Sequence, residues 1–146
     1  MKRFTRLVCL LLAMSLLFAV PVFAAEEEEA STWSSSYFLS FSTYLYKTSS
    51  TKFQVWFDVE ARRGMDELGA SKIIVQRSSD GTSWSNMFTY YPTYYSQMIC
   101  ENTSAHAGYV PYTGTTGYYY RAKVTYYAKD SSGTAEYVQY TSKILL

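Results

Sequence analysis

Lys52-Phe53-Gln54-Val55-Trp56-Phe57-Asp58-Val59-Glu60-Ala61 decides the fold class of this chain. Phe53, Val55, Phe57 and Val59 fall on one side of an extended backbone; Gln54, Trp56, Asp58 and Glu60 fall on the other. A period of two marks a strand with one buried and one wet face. Residues 37–47 alternate likewise, with Tyr37, Leu39 and Phe41 on one side and Phe38, Ser40 and Ser42 on the other. Thr48-Ser49-Ser50-Thr51 is a polar connection, so the two runs are predicted to pair antiparallel.

Working outward, residues 62–70 break the pattern. Gly64, Asp66 and Gly69 predict a loop, with a short helical turn over residues 65–68. Residues 71–78 form the next predicted strand, with Ile73 and Val75 inward, and Asp80-Gly81 is a tight turn before a partner strand at 84–91. Residues 92–107 have no clear period and read as a long irregular loop. A short strand follows at 108–113, then the turn Gly114-Thr115-Thr116-Gly117. Residues 118–128 are strongly β-forming, with Tyr118, Tyr120, Ala122, Val124 and Tyr126 on one face. Residues 136–146 close the chain as a last strand, with Tyr140, Ser142 and Ile144 inward. Seven short strands separated by Gly, Asp and Ser turns predict an all-β, antiparallel sandwich over residues 37–146.

Tyr118-Tyr119-Tyr120-Arg121-Ala122-Lys123-Val124 is similar to the penultimate strand of a fibronectin type III domain, and Ile73-Ile74-Val75-Gln76-Arg77-Ser78-Ser79-Asp80-Gly81 with Trp84 resembles a strand-and-turn pattern of bacterial members. Phe57 stands near where that family often carries a buried tryptophan. The resemblance implies a seven-stranded immunoglobulin/fibronectin III-like sandwich and a tyrosine corner, in which a tyrosine hydroxyl bonds upstream backbone. Tyr120 is the first choice for that role and Tyr118 the second. The whole chain also resembles small secreted proteins of anaerobic Gram-positive bacteria, a likeness that implies no activity.

The N-terminal segment predicts export. Lys2, Arg3 and Arg6 precede an apolar run at 7–20, Pro21 breaks it, and Val22-Phe23-Ala24 has the small-residue pattern of a cleavage site. The run is shorter than the ~20 residues that span a bilayer. Residues 1–24 are therefore read as a cleaved signal peptide, and 25–36, with Glu26-Glu27-Glu28-Glu29 and a Ser/Thr-rich stretch, as a disordered tail. Cleavage leaves 122 of the 146 residues, with 10 basic against 12 acidic side chains, a formal charge of −2. That balance offers no basic patch for nucleic acid, and no stable membrane insertion is expected after cleavage. Cys9 lies in the signal, so Cys100 stands alone in the mature chain and an intramolecular disulfide is excluded. The chain ends in Lys143-Ile144-Leu145-Leu146 without a wall-sorting signal, which points to release or loose wall association.

Chemistry is sparsely supplied. His106, the one histidine, follows Cys100 by six residues without a nucleophile signature. One histidine and one mature cysteine do not build a zinc shell, and the carboxylates lack EF-hand spacing. Asp58 and Glu60 share a strand face, as ordinary surface charge does. No catalytic residue, metal or cofactor is expected. The richest feature is Tyr90-Tyr91-Pro92-Thr93-Tyr94-Tyr95, where Tyr91, Tyr94 and Tyr95 are candidate binding residues for a protein or a glycan, and Trp56 and Tyr119 are outward candidates elsewhere. The sequence thus points to a secreted, non-enzymatic binding or interaction module whose partner is an extracellular protein or glycan. The alternatives are a small secreted enzyme using Cys100 and His106, and an extracellular structural protein that self-associates through strand edges.

Overall fold

A computed structural model describes residues 36–146; the signal peptide at 1–24 and nearly all of the tail at 25–36, with Cys9 and Trp33, lie outside the described residues. The described chain is all-β and antiparallel. Its strands are β1 (Phe38–Lys47), β2 (Lys52–Ser78), β3 (Ser85–Tyr90), β4 (Ile99–Thr113), β5 (Tyr119–Asp130), β6 (Gly133–Tyr140) and β7 (Ile144–Leu145), with a 3₁₀ turn at Ser96–Met98. All seven belong to one hydrogen-bonded sheet, curled into a half-barrel. Two separate stacked sheets were the expectation from sequence. The reason for the difference is β2, which runs unbroken for 27 residues and serves both halves.

The first half of β2 lies between β1 and β4: Trp56 is opposite Tyr44 on one side and Tyr109 on the other. The second half lies between β3 and β5, with Val75 opposite Phe88 and Ala122. β6 then pairs with β5 along Lys123–Asp130, and β7 pairs with its start at Tyr119 and Tyr120. The predicted loop at 62–70 is strand. Register slips against β4 between Glu60 and Met65, and against β5 between Ala70 and Lys72. Strand side chains alternate with a period of two, and the inward parity of β2 changes twice around these slips, between Met65 and Leu68 and between Ala70 and Ile73. Phe53, Val55, Phe57, Val59, Ala61 and Met65 are buried, then Leu68 and Ala70, then Ile73 and Val75. The bulges keep an apolar side chain inside while the strand bends.

Smaller corrections share that cause. A slip between Phe38 and Ser40 turns Phe38 inward and leaves Leu39 exposed, so Phe38 and Phe41 meet edge to face at 6.1 Å. β4 begins at Ile99, so half of the expected loop at 92–107 is strand. The last predicted strand is split between β6 and β7, and its buried residues are Thr141 and Leu146; Ser142 is exposed, and Tyr140 and Ile144 are half-buried. Asp80-Gly81 does turn: Gly81 has φ +74°, and the Asp80 carboxylate accepts the amides of Thr82 and Ser83 at 2.8 Å each. Those amides, with the Ser78 hydroxyl, hold the Asp80 carboxyl well below the usual carboxylate range.

Aromatic rings close the interior. Phe53 at the start of β2 lies 5.4 Å from Tyr120 on β5, and Phe41 on β1 lies 5.2 Å from Tyr126 and 4.3 Å from Tyr137. The Tyr126 hydroxyl donates to the Ser42 carbonyl across that seam. The Thr115 amide donates to the Tyr120 hydroxyl at 2.7 Å, and that hydroxyl donates to the Thr115 carbonyl at 3.3 Å. Tyr120 therefore makes the backbone tie that the tyrosine-corner expectation assigned to it.

Gly69 marks the bend. Its φ is +155°, and a Cβ there would lie 2.1 Å from the Met98 carbonyl oxygen. Gly69→Ala is expected to cost at least about 2 kcal/mol, through backbone strain together with displacement of the 3₁₀ turn. Urea unfolding of the variant beside the parent measures this; an unchanged midpoint contradicts it.

Candidate functional site

Turn chemistry and burial divide the tyrosine-rich segment. Tyr90 ends β3 and faces inward beside Ile73, its register partner. Its ring meets Phe88 and Tyr95, each at 4.8 Å and edge-on, and its hydroxyl donates to the Pro111 carbonyl of β4. The amides of Tyr94 and Tyr95 both donate to the Tyr91 carbonyl at 3.1 Å, which folds the segment into a tight turn. The 3₁₀ turn then drops Met98 into the core. Of the candidate binding residues, Tyr95 is half-buried against Tyr90, Tyr91 is exposed, and Tyr94 projects into solvent at 83% exposure. Tyr90 and Tyr95 hold the flank between β3 and β4 shut, and Tyr91 and Tyr94 are what the loop offers a partner.

Cys100 and His106 lie along one strand, separated by on the order of 20 Å of extended chain. Cys100 is half-buried opposite Leu68, and its thiol makes only a long contact, 3.8 Å, to the Glu101 carbonyl. His106 packs on Phe57 at 5.6 Å, and its Nε2 lies 2.8 Å from the Gln97 carbonyl oxygen, so that nitrogen carries the proton and donates. The geometry gives His106 a packing role over the 3₁₀ turn and does not bring it to the thiol. Among the described residues, no group of three or more His, Cys, Asp or Glu is placed to hold a metal ion, and no helix is long and apolar enough to cross a membrane.

The most organised surface is the outer face of β1, the first half of β2 and β4. The register there is unbroken from Lys52 to Glu60, so outward residues line up in rows across three strands. One row is Tyr44, Trp56 and Tyr109. Tyr44 and Trp56 are parallel to within 1° at 6.1 Å, and Trp56 and Tyr109 lie 4.9 Å apart at 30°. Tyr44 is 51% exposed and Tyr109 42%. The indole N–H donates to Gln54 Oε1 at 2.9 Å, and the Trp56 backbone carbonyl accepts the Thr43 hydroxyl at 2.8 Å. Neighbouring rows carry Tyr46, Gln54 and Pro111 on one side, and Ser42, Asp58 and Ala107, then Ser40, Glu60 and Ala105, on the other. The Ser40 hydroxyl donates to the Glu60 carboxylate at 3.1 Å. Asp58 and Glu60 thus flank aromatic rings on an open sheet face.

Compared with family models, with curated proteins and with solved structures, the chain matches none. Its site is therefore described by its own geometry. Parity along β2 placed Trp56 outward in the sequence, but Tyr44 and Tyr109 become its neighbours only through strand register. Tyr119, the other outward candidate, lies apart from the row: it pairs with Ser78 and Leu145, and Lys143 Nζ sits 5.2 Å over its ring. The outer face of that half is basic and self-occupied. The Arg121 guanidinium lies between Trp84 at 4.4 Å and Tyr140 at 4.6 Å, while its Nε donates to Gln76 Oε1 at 2.7 Å.

Burial raises the Tyr90 and Tyr126 phenols well above the ordinary value of 10.0, the neighbouring Tyr95 adding to the shift at Tyr90. A raised folded value means that folding favours the neutral phenol. The stability it contributes is complete below about pH 10 and falls as pH rises beyond that toward the folded values. Denaturant midpoints are expected to stay flat with respect to these groups up to that pH and to drop above it; early titration of every tyrosine at 295 nm without loss of stability would contradict this. Tyr90→Phe, which removes the hydroxyl bound to the Pro111 carbonyl, is expected to cost about 1–2 kcal/mol. Tyr94→Ala should stay within about 0.5 kcal/mol of the parent. Equal losses from the two would contradict the division of the segment.

Proposed function

We propose that the chain is a secreted, non-enzymatic binding module with a fibronectin III-like sandwich architecture, whose working surface is the aromatic face of β1, β2 and β4. The observation that carries this reading is the outward row Tyr44, Trp56 and Tyr109, held in register, with both tyrosines exposed and Trp56 half-buried between them. Burying apolar rings is favourable, and three large ones outside the core are an unspent source of binding free energy. Tyrosine and tryptophan suit such contacts because each joins a rigid apolar ring to a polar tip. Tyr91 and Tyr94 on the loop after β3 form a second, smaller exposed group.

The order of strand pairing supports the architecture. Within the single sheet, β1 and β4 flank the first half of β2, and β3 and β5 flank the second half, with β6 on β5. This grouping resembles the fibronectin III arrangement with its second and third strands fused into one. The Tyr120 tie to Thr115 adds to the likeness. The separation of Cys100 from His106 supports a non-enzymatic role. Export rests on the charged start, apolar run and cleavage pattern of residues 1–24. The partner is an extracellular protein or glycan at or beyond the cell envelope.

Two measurements test the reading. Intact mass and N-terminal sequencing of the protein in culture medium are expected to give a chain starting at Ala25; an intact Met1 form confined to the cell interior overturns export. Retention on envelope material of the producing cell is expected to fall at least tenfold in Trp56→Ala while circular dichroism stays unchanged. Absence of retention by the parent, or retention indifferent to Trp56, Tyr44 and Tyr109, overturns the assignment of this face.

A further inference from the structure

We infer that β1 is a docking edge whose occupant is a second copy of this chain, paired antiparallel along β1 about a two-fold axis at Thr43. The contact goes beyond the binding-module reading and is made by backbone, not by the aromatic row. Among the described residues, β1 pairs with β2 alone. The Thr48 amide donates to the Lys52 carbonyl, in the same register that sets Tyr46 opposite Gln54, Tyr44 opposite Trp56 and Ser42 opposite Asp58. Bonded and non-bonded pairs alternate along an antiparallel ladder. The even-numbered residues therefore bond to β2, and the amides and carbonyls of Phe41, Thr43 and Leu45 point away from it. No turn or side chain among the described residues bonds those outward groups. The side chains agree. Phe41, Thr43 and Leu45 are half-buried, whereas Phe53, Val55, Phe57 and Val59 on the next strand are fully buried, and Leu39 is 54% exposed. A strand laid beside β1 covers this apolar flank together with its backbone.

The other edges are guarded. Proteins protect unpaired edges with proline, charge, bulges, brevity or cover. On β4, Pro111 has no amide to offer and its carbonyl takes the Tyr90 hydroxyl, while the His106 ring ties the same flank to the Gln97 carbonyl. β3 has six residues and a register slip, β6 carries Glu136 at mid-strand, and β7 has two residues. From Ser40 to Tyr46, β1 has no charge, proline or glycine, and its one slip lies before Ser40.

Self-complementarity selects the occupant. With the two-fold at Thr43, Thr43 faces Thr43 and Phe41 of each copy faces Leu45 of the other, so every outward amide and carbonyl of these residues finds a partner. Side-chain parity is kept, with Ser42 beside Tyr44 and Ser40 beside Tyr46 on the outer side, and Phe41 beside Leu45 on the inner side. Lys47, the charged residue of β1, lies about 26 Å from its counterpart, whereas parallel pairing would set the two lysines side by side. An unrelated strand meets these conditions only by chance; a second copy meets them by symmetry. Because the remaining edges are guarded, the assembly closes at two copies, with both aromatic faces on the same side of one continuous sheet.

Sedimentation velocity of the chain as the cell makes it, from about 1 to about 100 μM, tests the inference. A monomer–dimer equilibrium is expected, and amide hydrogen exchange followed by NMR is expected to slow at Phe41, Thr43 and Leu45 as the dimer fills. Thr43→Pro removes an outward amide that β2 does not use, and is expected to weaken dimerisation about tenfold or more. Thr43→Val, which loses the hydroxyl bond to the Trp56 carbonyl but keeps the amide, is expected to dimerise like the parent. If Thr43→Pro unfolds, the double variant Ser42→Lys with Tyr44→Lys carries the same expectation, since both positions are exposed and the pairing sets lysines opposite one another. Trp56→Ala is expected to leave the dimer intact. A chain that stays monomeric across the range overturns the inference, as does a dimer indifferent to both Thr43→Pro and the double variant, or one in which the three amides exchange as fast as in the monomer. Dimers lost in Trp56→Ala but kept in Thr43→Pro assign the contact to the aromatic face and overturn it too. Retention on envelope material reads the binding-module proposal separately, so failure of one leaves the other standing.

Discussion

One strand carries the architecture. β2 passes through both halves of the sheet, and every other half-sheet contact is arranged around its bend. A continuous strand has no loop in which to hide a change of direction, so the change is made by register slips near Met65 and after Ala70. Strict alternation through the whole strand would turn the apolar face outward in the stretch around Leu68 and Ala70. Instead the inward residues move from Phe53, Val55, Phe57 and Val59 to Leu68 and Ala70 and then to Ile73 and Val75, so that both halves face a common interior. Gly69 sits at the bend because the Met98 backbone approaches too closely for any Cβ.

The tyrosines make such a core workable without a covalent staple. Tyr90, Tyr120 and Tyr126 each bury a ring and deliver the hydroxyl to backbone at the margin of the interior: Pro111, Thr115 and Ser42 respectively. A buried hydroxyl without a partner would cost roughly 1–3 kcal/mol, and with one it returns about 1 kcal/mol net. The rings supply area and the hydroxyls fix which edges meet. The surface ion pairs, Arg63 with Asp130 and Lys129 with Glu67, sit at the far end of β5 and add little beside this.

The same residue types outside the core have a different meaning, and burial alone separates the two sets. Tyr120 and Tyr126 are structural; Tyr44, Tyr46, Tyr94 and Tyr109 are open. Sequence favoured the dense run at 90–95 because its tyrosines are adjacent in the chain, yet two of its members turn inward to shut a flank. The more ordered aromatic surface draws one residue from each of three strands, spread over 66 positions from Tyr44 to Tyr109. Only strand register could bring them together. Of the three, Trp56 alone was legible as an outward candidate, because its strand alternates cleanly.

The strands at 37–47, 52–61, 71–78 and 118–128 and the turn at Asp80-Gly81 followed from local pattern, since period-two alternation and glycine turns are properties of neighbouring residues, whereas the Tyr120 tie to Thr115 was expected only from a family resemblance. Residues 62–70 and the stretch after Pro92 were misread because glycine at a bulge and glycine in a loop look the same in one dimension. What the chain by itself determined is that it folds as antiparallel β-structure with an aromatic interior. What only the tertiary structure decided is which strands share an edge, that two of the expected strands are one, and which tyrosines stay in water. Those outcomes depend on pairing between residues distant in sequence, where the competing registers differ by the burial of whole faces and not by any local preference.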